Sequence, residues 1–422
     1  MSEFINILNG VLNSILQVFS WVWWIVVPLA LIFIAWDLWL FYIRFKFLKS
    51  VQYKLLEIRI PKDIVKTPKS MENIFATFHA TKMTIDEFKK KYIEGQIQLW
   101  LSLEIVGTGG GIAFYIRTPE QFRNLIEAQI YAQYPDAEIV EVEDYVDFLP
   151  KDLPNKYFDI WGSEFCLAKE SAYPIRTYPY FEEQKEEKRI DPIASLVETM
   201  SKLKSDERIW LQILIRYTGD DWKKEADKLV DQLIGKKAPK KEMGFFDWLW
   251  QFLRNLIKAP VEYPTWGESE VGKEAPASQI MFLTPGQREV IKAIEEKSSK
   301  LGFETVIRCL YIDRREAFSR LNVSSIMGAI YQFNTQNLNA FKGFKPTSVS
   351  TKPPFKKQKE FLRKRFLYMS YRFRMFNKHI KAILNTEELA TLYHFPIVAV
   401  EAPFLRRIEA KKGEPPINLP IG

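Results

Sequence analysis

The chain has 422 residues, 47% of them apolar, so it can bury a sizeable core and has room for an anchor and two or three domains. Sixty Lys and Arg against 52 Asp and Glu leave a net charge of +8, which permits anionic partners, either nucleic acid or lipid headgroups. Two cysteines and three scattered histidines argue against a disulfide framework or a zinc site, and no Walker A, GxSxG, HExxH or kinase motif supports an enzyme.

Phe4 to Phe19 carries an apolar stripe of Phe4, Leu8, Val11, Leu12, Ile15, Leu16 and Phe19, suited to a membrane interface or to leading into the more apolar run after it. Val18 to Phe41 is almost wholly apolar, with Trp21, Trp23, Trp24, Trp36 and Trp39 towards its ends. At 1.5 Å per residue it reaches about 36 Å, enough to cross a hydrocarbon core of about 30 Å. Pro28 is positioned to kink it, and Asp37 falls near the far end as an interfacial carboxylate. The lack of a preceding basic region and of a small-residue cleavage site gives an uncleaved anchor. Arg44, Lys46, Lys49, Lys54 and Arg59 follow the span, and only Glu3 precedes it. The positive-inside rule then gives a single-pass protein of the inner (cytoplasmic) membrane, N-terminus outside and bulk cytoplasmic.

Leu56, Ile58 and Ile60 alternate as a strand, and Met71, Ile74, Phe75 and Phe78 form a helical face. After a charged insertion, DEFKKKYIEG, Leu99 to Ile105 alternates as a half-buried strand. Gly107 to Gly111 turn it, and Ile112, Phe114 and Ile116 resume. GTGGG lacks the Lys-Ser or Lys-Thr of a phosphate loop and opens no helix, so a hairpin fits better than a nucleotide site. Thr118 reads as an N-cap and Pro119 as the first position of a helix with Phe122, Leu125, Ile126, Ile130 and Tyr134 on one face. Ala137 to Val142 is a further short strand. Residues 51–150 thus give βαββαβ, a ferredoxin-like unit. The acids Glu138, Glu141, Glu143 and Asp144 after that strand read better as a solvated edge than as a catalytic carboxylate set.

Residues 151–345 make a second pass. Tyr173 to Tyr180 is strand-like, Ile193 to Leu203 helical, and Ile209 to Tyr217 alternates. Thr305 to Ile312, Phe318 to Phe333 and Leu338 to Phe341 then read as strand, helix and strand. The expectation is α+β: an N-terminal transmembrane helix in residues 1–50 and two ferredoxin-like units, the second split by a helical insertion over about 218–303. The insertion holds helices over Trp222 to Leu233 and Arg288 to Lys297, and between them a basic, Trp-rich segment. Phe245, Phe246, Trp248, Trp250 and Phe252 are its membrane-interface candidates, with docking on its own domain or on a partner subunit as the alternative.

Residues 346–422 open with the densest positive charge. From Thr351 to Lys381 the only acid is Glu360, and aromatics interleave with Lys and Arg. Lys356, Lys357, Arg363, Lys364, Arg365, Arg372 and Arg374 are candidates for contacting nucleic acid or lipid; a solvated linker helix is the plain alternative. Asn385 to Glu388 caps a short helix, and GEPPINLPIG forms an extended, proline-rich tail.

LLEIRIPKD with FATFHATK, and SLEIVGTGGGIAFYIRTPEQFRNLIEAQIYAQYPDAEIVEVEDY, resemble the N-terminal region of membrane-anchored type IV secretion, conjugative DNA-transfer ATPases of the broad TraG/HerA-like group. So do LTPGQREVIKAIEEKSSKLGFETVIRCLYIDRREAF, QFNTQNLNAFK and NTEELATLYHFP followed by KKGEPPINLP. In that family the NLP tail leads into a motor domain with Walker motifs, which this sequence lacks, so no catalytic residue carries over. The resemblance implies a non-catalytic cytoplasmic module of a transfer apparatus that docks or positions a separate ATPase. The expected partners are the bilayer, that motor, further copies of the chain and nucleic acid; no cofactor is expected. The alternatives are a membrane-tethered receptor for single-stranded nucleic acid and a membrane-shaping scaffold.

Overall fold

The computed structural model describes residues 2–61, 66–181, 190–235, 283–350, 353–377, 379–380, 382–396 and 407–408. The chain is α+β: one N-terminal apolar helix leads into a sheet that is antiparallel apart from one short parallel pairing.

Helix α1 (Ser2–Ser50) is continuous, with Pro28 inside it, so the apolar leader and the expected span form one helix. Strand β1 (Tyr53–Pro61) follows at once, then α2 (Lys69–Phe78) and the short α3 (Phe88–Tyr92) in the charged insertion. The hairpin is β2 (Trp100–Thr108) and β3 (Gly111–Pro119). Its glycines answer a packing demand: a Cβ on Gly109 would lie 2.4 Å from Lys204 O, and Gly111 has φ +136°. Thr118 is not an N-cap. The strand runs through Pro119, a short 3-10 turn follows, and α4 (Arg123–Gln133) begins without a side-chain cap. Strand β4 (Glu138–Glu141) closes this half.

The second half opens with β5 (Phe158–Leu167), not at Tyr173–Tyr180, where Pro174 and Pro179 withhold ladder donors and a 3-10 turn forms at Tyr178–Tyr180. Next come α5 (Ala194–Ser201), β6 (Arg208–Tyr217), α6 (Asp221–Leu233) and α7 (Pro285–Ser298). They are followed by β7 (Gly302–Arg314), α8 (Arg320–Tyr331) and β8 (Phe341–Gly343). Residues beyond 345 are built into the same body. Helix α9 (Lys356–Arg372) lies on the sheet, β9 (Ala382–Asn385) pairs with β7, α10 (Thr386–Leu392) starts on an Asn385–Glu388 capping box, and β10 (Arg407–Ile408) pairs parallel with β1.

The strands form one sheet in the order β10-β1-β3-β2-β6-β7-β5-β8, with β4 also on β1 and β9 also on β7. Each half has its own run, β4-β1-β3-β2 and β8-β5-β7-β6, and the halves join where β2 pairs with β6, Glu104 opposite Gln212.

Both faces are covered. On one, Leu101, Leu103, Ile105, Ile209, Leu211 and Ile213 meet Phe75 and Phe78 of α2, Ile130 of α4, Val197 of α5, Ile330 of α8 and Leu389 of α10. On the other, Val106, Trp210, Leu310 and Ile312 meet Leu367, Tyr368 and Tyr371 of α9 and Val146 and Leu149 after β4. The expectation of a half-buried β2 is therefore corrected: eight of its nine residues are buried, because α9 covers the face on which Ser102 and Glu104 stand. A small separate core joins α6 and α7 through Ala226, Leu229, Ile291 and Ile294.

Candidate functional site

Three features can carry function: the α1 end, a charged row inside the sheet, and the outer side of α9. Helix α1 comes first in the chain. Val27–Ser50, 24 residues, is long and apolar enough to cross a membrane, and Leu29, Leu31, Phe33, Trp36, Leu38 and Phe41 stand exposed along it. Exposed apolar side chains in such a row are unfavourable in water and favourable in lipid. The helix passes into β1 with only Val51 and Gln52 between, so the sheet hangs directly from it. Tyr53 pairs with Pro119, Trp100 with Arg216 and Glu304 with Ile383, which fixes one end of the sheet as the α1 end. Thr108, Arg208, Ile312 and Asp159 mark the other end, about 27 Å away at 3.4 Å per residue.

The row lies between these ends. Glu164, Arg308, Gln212 and Glu104 are register partners on β5, β7, β6 and β2. All four are fully buried. Arg308 Nε donates to Glu164 Oε1 at 2.6 Å and its Nη1 to Gln212 Oε1 at 3.1 Å; Gln212 Nε2 donates to Glu104 Oε1 at 3.1 Å. Arg374, just past α9, closes the row: Nε reaches Glu104 Oε1 at 3.0 Å, and Nη2 reaches Glu104 Oε2 at 3.1 Å and Asp144 Oδ1 at 2.9 Å. Arg374 holds φ +49°, a costly backbone for a side chain with a Cβ, and Trp100 Nε1 donates to its carbonyl at 2.9 Å. Tyr145 OH donates to Glu104 Oε2 at 2.7 Å.

Burial alone would push the Glu104 carboxyl up. The Arg374 charge, with hydrogen bonds from Arg374, Ser102 and Tyr145, outweighs it and holds the carboxyl at about 2. Burial likewise works against the Arg374 charge, and Glu104 overcomes it, so the guanidinium stays protonated. The row is a clamp across the β2·β6 joint, with every charge paired. Sequence reasoning missed Glu104, Gln212, Arg308 and Glu164. For Arg308 and Gln212 the signal was a lone polar residue within an apolar stretch, as in VIRCLYI and WLQILI, which a half-buried reading assigns to solvent.

The basic candidates, on α9 and just past it, divide into those turned inward and those turned to solvent. Arg374 is interior, and this corrects its assignment to a contact surface: Glu104 and Asp144 already use it. Arg372 is turned onto Val146 O and Asp147, Arg363 onto Ser348 O at 2.7 Å, and Lys364 onto Asp159 at 2.6 Å. Lys356, Lys357 and Arg365 are exposed, with Lys359, Phe361 and Phe366 beside them. The Lys364–Asp159 pair puts this half of α9 at the end of the sheet away from α1, where Lys156, Arg315, Phe361 and Arg365 line an open cleft. Phe245, Phe246, Trp248, Trp250 and Phe252 lie outside the described residues.

Among the described residues no group of three or more His, Cys, Asp or Glu could hold a metal ion. Cys309 is buried, which pushes its thiol up to about 12, and His394 is buried against Asp191 at 2.9 Å. A cavity of about 740 Å³ at the α1 end is lined by Lys169, Arg216, Trp222 and Phe376. Two of its cations are engaged, Arg216 with Glu304 and Lys169 with the carbonyls of Gln336 and Asn337.

A comparison with curated proteins finds no match for this chain. Residues 49–404, most of the chain and all of the sheet up to β9 and α10, match a family described as a domain of unknown function, DUF8128, and the protein belongs to that family.

Proposed function

We propose that this chain is a membrane-anchored, non-catalytic module of a transfer apparatus resembling type IV secretion systems, in which it docks or positions a separate ATPase. The observation that carries the anchored part is α1: an exposed apolar helix, long enough to span, joined to the sheet without a flexible linker. Arg44, Lys46, Lys49, Lys54 and Arg59 on its C-terminal side support an outside N-terminus and a cytoplasmic body in the inner membrane. The strand orders β4-β1-β3-β2 and β8-β5-β7-β6, each with helices after its first and third strands, support two ferredoxin-like units derived by duplication. The transfer role rests on the strings from SLEIVGTGGG to NTEELATLYHFP that resemble the conjugative ATPases. Copies of the chain then surround the membrane site, each presenting the end of its sheet away from α1 to the motor.

The test is purification of the full chain from its native membranes in mild detergent. The reading predicts a stoichiometric Walker-containing ATPase in the complex and no ATP turnover once that protein is stripped away. ATP turnover by the stripped chain contradicts the non-catalytic role.

A second reading, binding of single-stranded nucleic acid, is favoured by one observation. Exposed Lys356, Lys357, Lys359 and Arg365 flank exposed Phe361 and Phe366, cations beside rings on which bases stack. It predicts affinity for an oligonucleotide that falls with salt and is lost when these four cations are replaced by Gln, as measured by fluorescence anisotropy. Salt-independent or unchanged affinity removes it.

A further inference from the structure

The charged insertion between β1 and β2 has no place in the clamp or on α9, yet it is seated on α1. Trp39 Nε1 donates to Tyr92 O at 3.1 Å, and the Trp36 and Tyr92 rings lie 5.8 Å apart. Just after α3 the chain touches α1 backbone to backbone. A Cβ at Gly95 would stand 2.5 Å from Ile43 C and 2.8 Å from Arg44 N, and Gly95 has φ +68°. Only glycine satisfies both demands, so the contact is a fitted one. Ile43 is correspondingly buried, although its neighbours Phe41, Tyr42 and Phe45 are exposed.

This element exposes two large apolar side chains. Phe88 is 68% exposed and Ile93 58% exposed, and the Phe88 ring lies 4.8 Å from that of Tyr92. Of the three lysines between them, Lys90 is turned to Glu87 at 2.7 Å and Lys89 to Glu94 at 3.9 Å, and Lys91 lies over the Tyr92 ring at 5.2 Å. Phe88 in the five-residue helix and Ile93 at its C-terminal cap have no use for their apolar side chains in water. Their level along α1 supplies one. They sit beside Trp36 to Ile43, where the apolar run gives way to Arg44, Lys46 and Lys49. Trp and Tyr at that level are the aromatic belt of a membrane boundary.

We infer that α3 and Ile93 form a membrane foot, which seats Phe88 and Ile93 at the boundary between headgroups and acyl chains and braces the body against the bilayer. The occupant is the phospholipid surface, because the element is continuous with the span. Two contact points, α1 and the foot, fix the angle of the sheet to the membrane; α1 alone would let helix and body tilt together in the bilayer. The inference rests on α1 spanning the bilayer.

The test uses the full chain reconstituted in phosphatidylcholine vesicles with a minority of phosphatidylglycerol. With Cys166 replaced by Ser and Cys309 buried, an environment-sensitive fluorophore is attached at Ile93→Cys or, separately, Leu31→Cys. Quencher lipids carry a spin label either near the headgroup or deep in the chain. The foot predicts several-fold stronger quenching at 93 by the shallow label, and at 31 by the deep one. Quenching at 31 without quenching at 93 overturns the foot and leaves the anchor standing. No quenching at 31 overturns the anchor and the foot with it. Adding Gly95→Ala, which forces the loop off α1, should abolish quenching at 93 alone; quenching that persists overturns the claim that seating on α1 sets the depth.

Discussion

Glu104 and Arg374 are 270 residues apart in the chain and 3.0 Å apart in space. Their pairing contributes to the acid sensitivity of the body. The Glu104 carboxyl lies at about 2 when folded, against 4.5 ordinarily. A depressed folded value means the stabilisation is complete above the ordinary value and is lost as pH falls towards the folded one. The shift corresponds to about 3 kcal/mol, lost between about pH 5 and pH 2. Urea unfolding of the detergent-solubilised chain across that window should show the loss, and Glu104→Gln should flatten it; an unchanged slope contradicts the assignment. Removing one partner is costlier than removing both, because it strands a buried charge. Arg374→Ala should therefore cost about 3–5 kcal/mol, and Glu104→Gln with Arg374→Met less than the two single changes together. Replacing Lys356, Lys357 and Arg365 by Ala, on the solvent side of the same segment, should stay within about 0.5 kcal/mol. Additivity of the clamp pair, or a large cost at the exposed lysines, contradicts the division between inward and outward cations. In the sequence all these residues belong to one basic run, and nothing local separates Arg374 from Arg365. The separation comes from Glu104, which the chain supplies from the opposite half of the fold.

Elements were more legible than their surroundings. The alternation in Ile209 to Tyr217 and the helical face of Met71 to Phe78 match β6 and α2, because the periods of two and 3.6 follow from backbone geometry alone. Burial of the second sheet face was not legible, since the covering element, α9, begins some 250 residues after β2. Its charged sequence also reads as solvated; only Leu367, Tyr368, Ser370 and Tyr371 are buried. Strand β5 was passed over for Tyr173–Tyr180 because Gly162, Ser163 and Glu164 interrupt its apolar pattern. Gly162 is small because a Cβ there would stand 2.5 Å from Leu310 Cδ2, and Glu164 is the Arg308 partner. If α9 is a core element, Leu367→Ala should cost about 2–5 kcal/mol, as a buried large-to-small change does. Leu362→Ala, on the exposed side, should cost little. Equal, small effects in thermal unfolding would mean α9 is a peripheral helix.

At the scale of the whole molecule, the β2·β6 pairing turns two successive strand-and-helix units into one sheet, and the clamp crosses that seam. Domain boundaries read from the chain order cannot reveal this, because the order of elements does not specify which edges meet. The apolar run of α1 was legible, since such a run needs no tertiary context to be recognised, but the helix continues to Ser50, past the expected end of the span at Phe41. The molecule is thereby polar in the geometrical sense: α1 and α3 at one end, and the exposed basic and aromatic part of α9 at the other. The proposal that the first end meets lipid and the second meets the motor or nucleic acid depends on α1 crossing the membrane with the body inside. That topology is tested by labelling with a membrane-impermeant maleimide in intact cells, using Ser2→Cys and Ser350→Cys in the Cys166→Ser background. The account predicts labelling at position 2 in intact cells and at position 350 only after the inner membrane is opened. Labelling at 350 in intact cells, or release of the chain from membranes by alkaline carbonate, contradicts it.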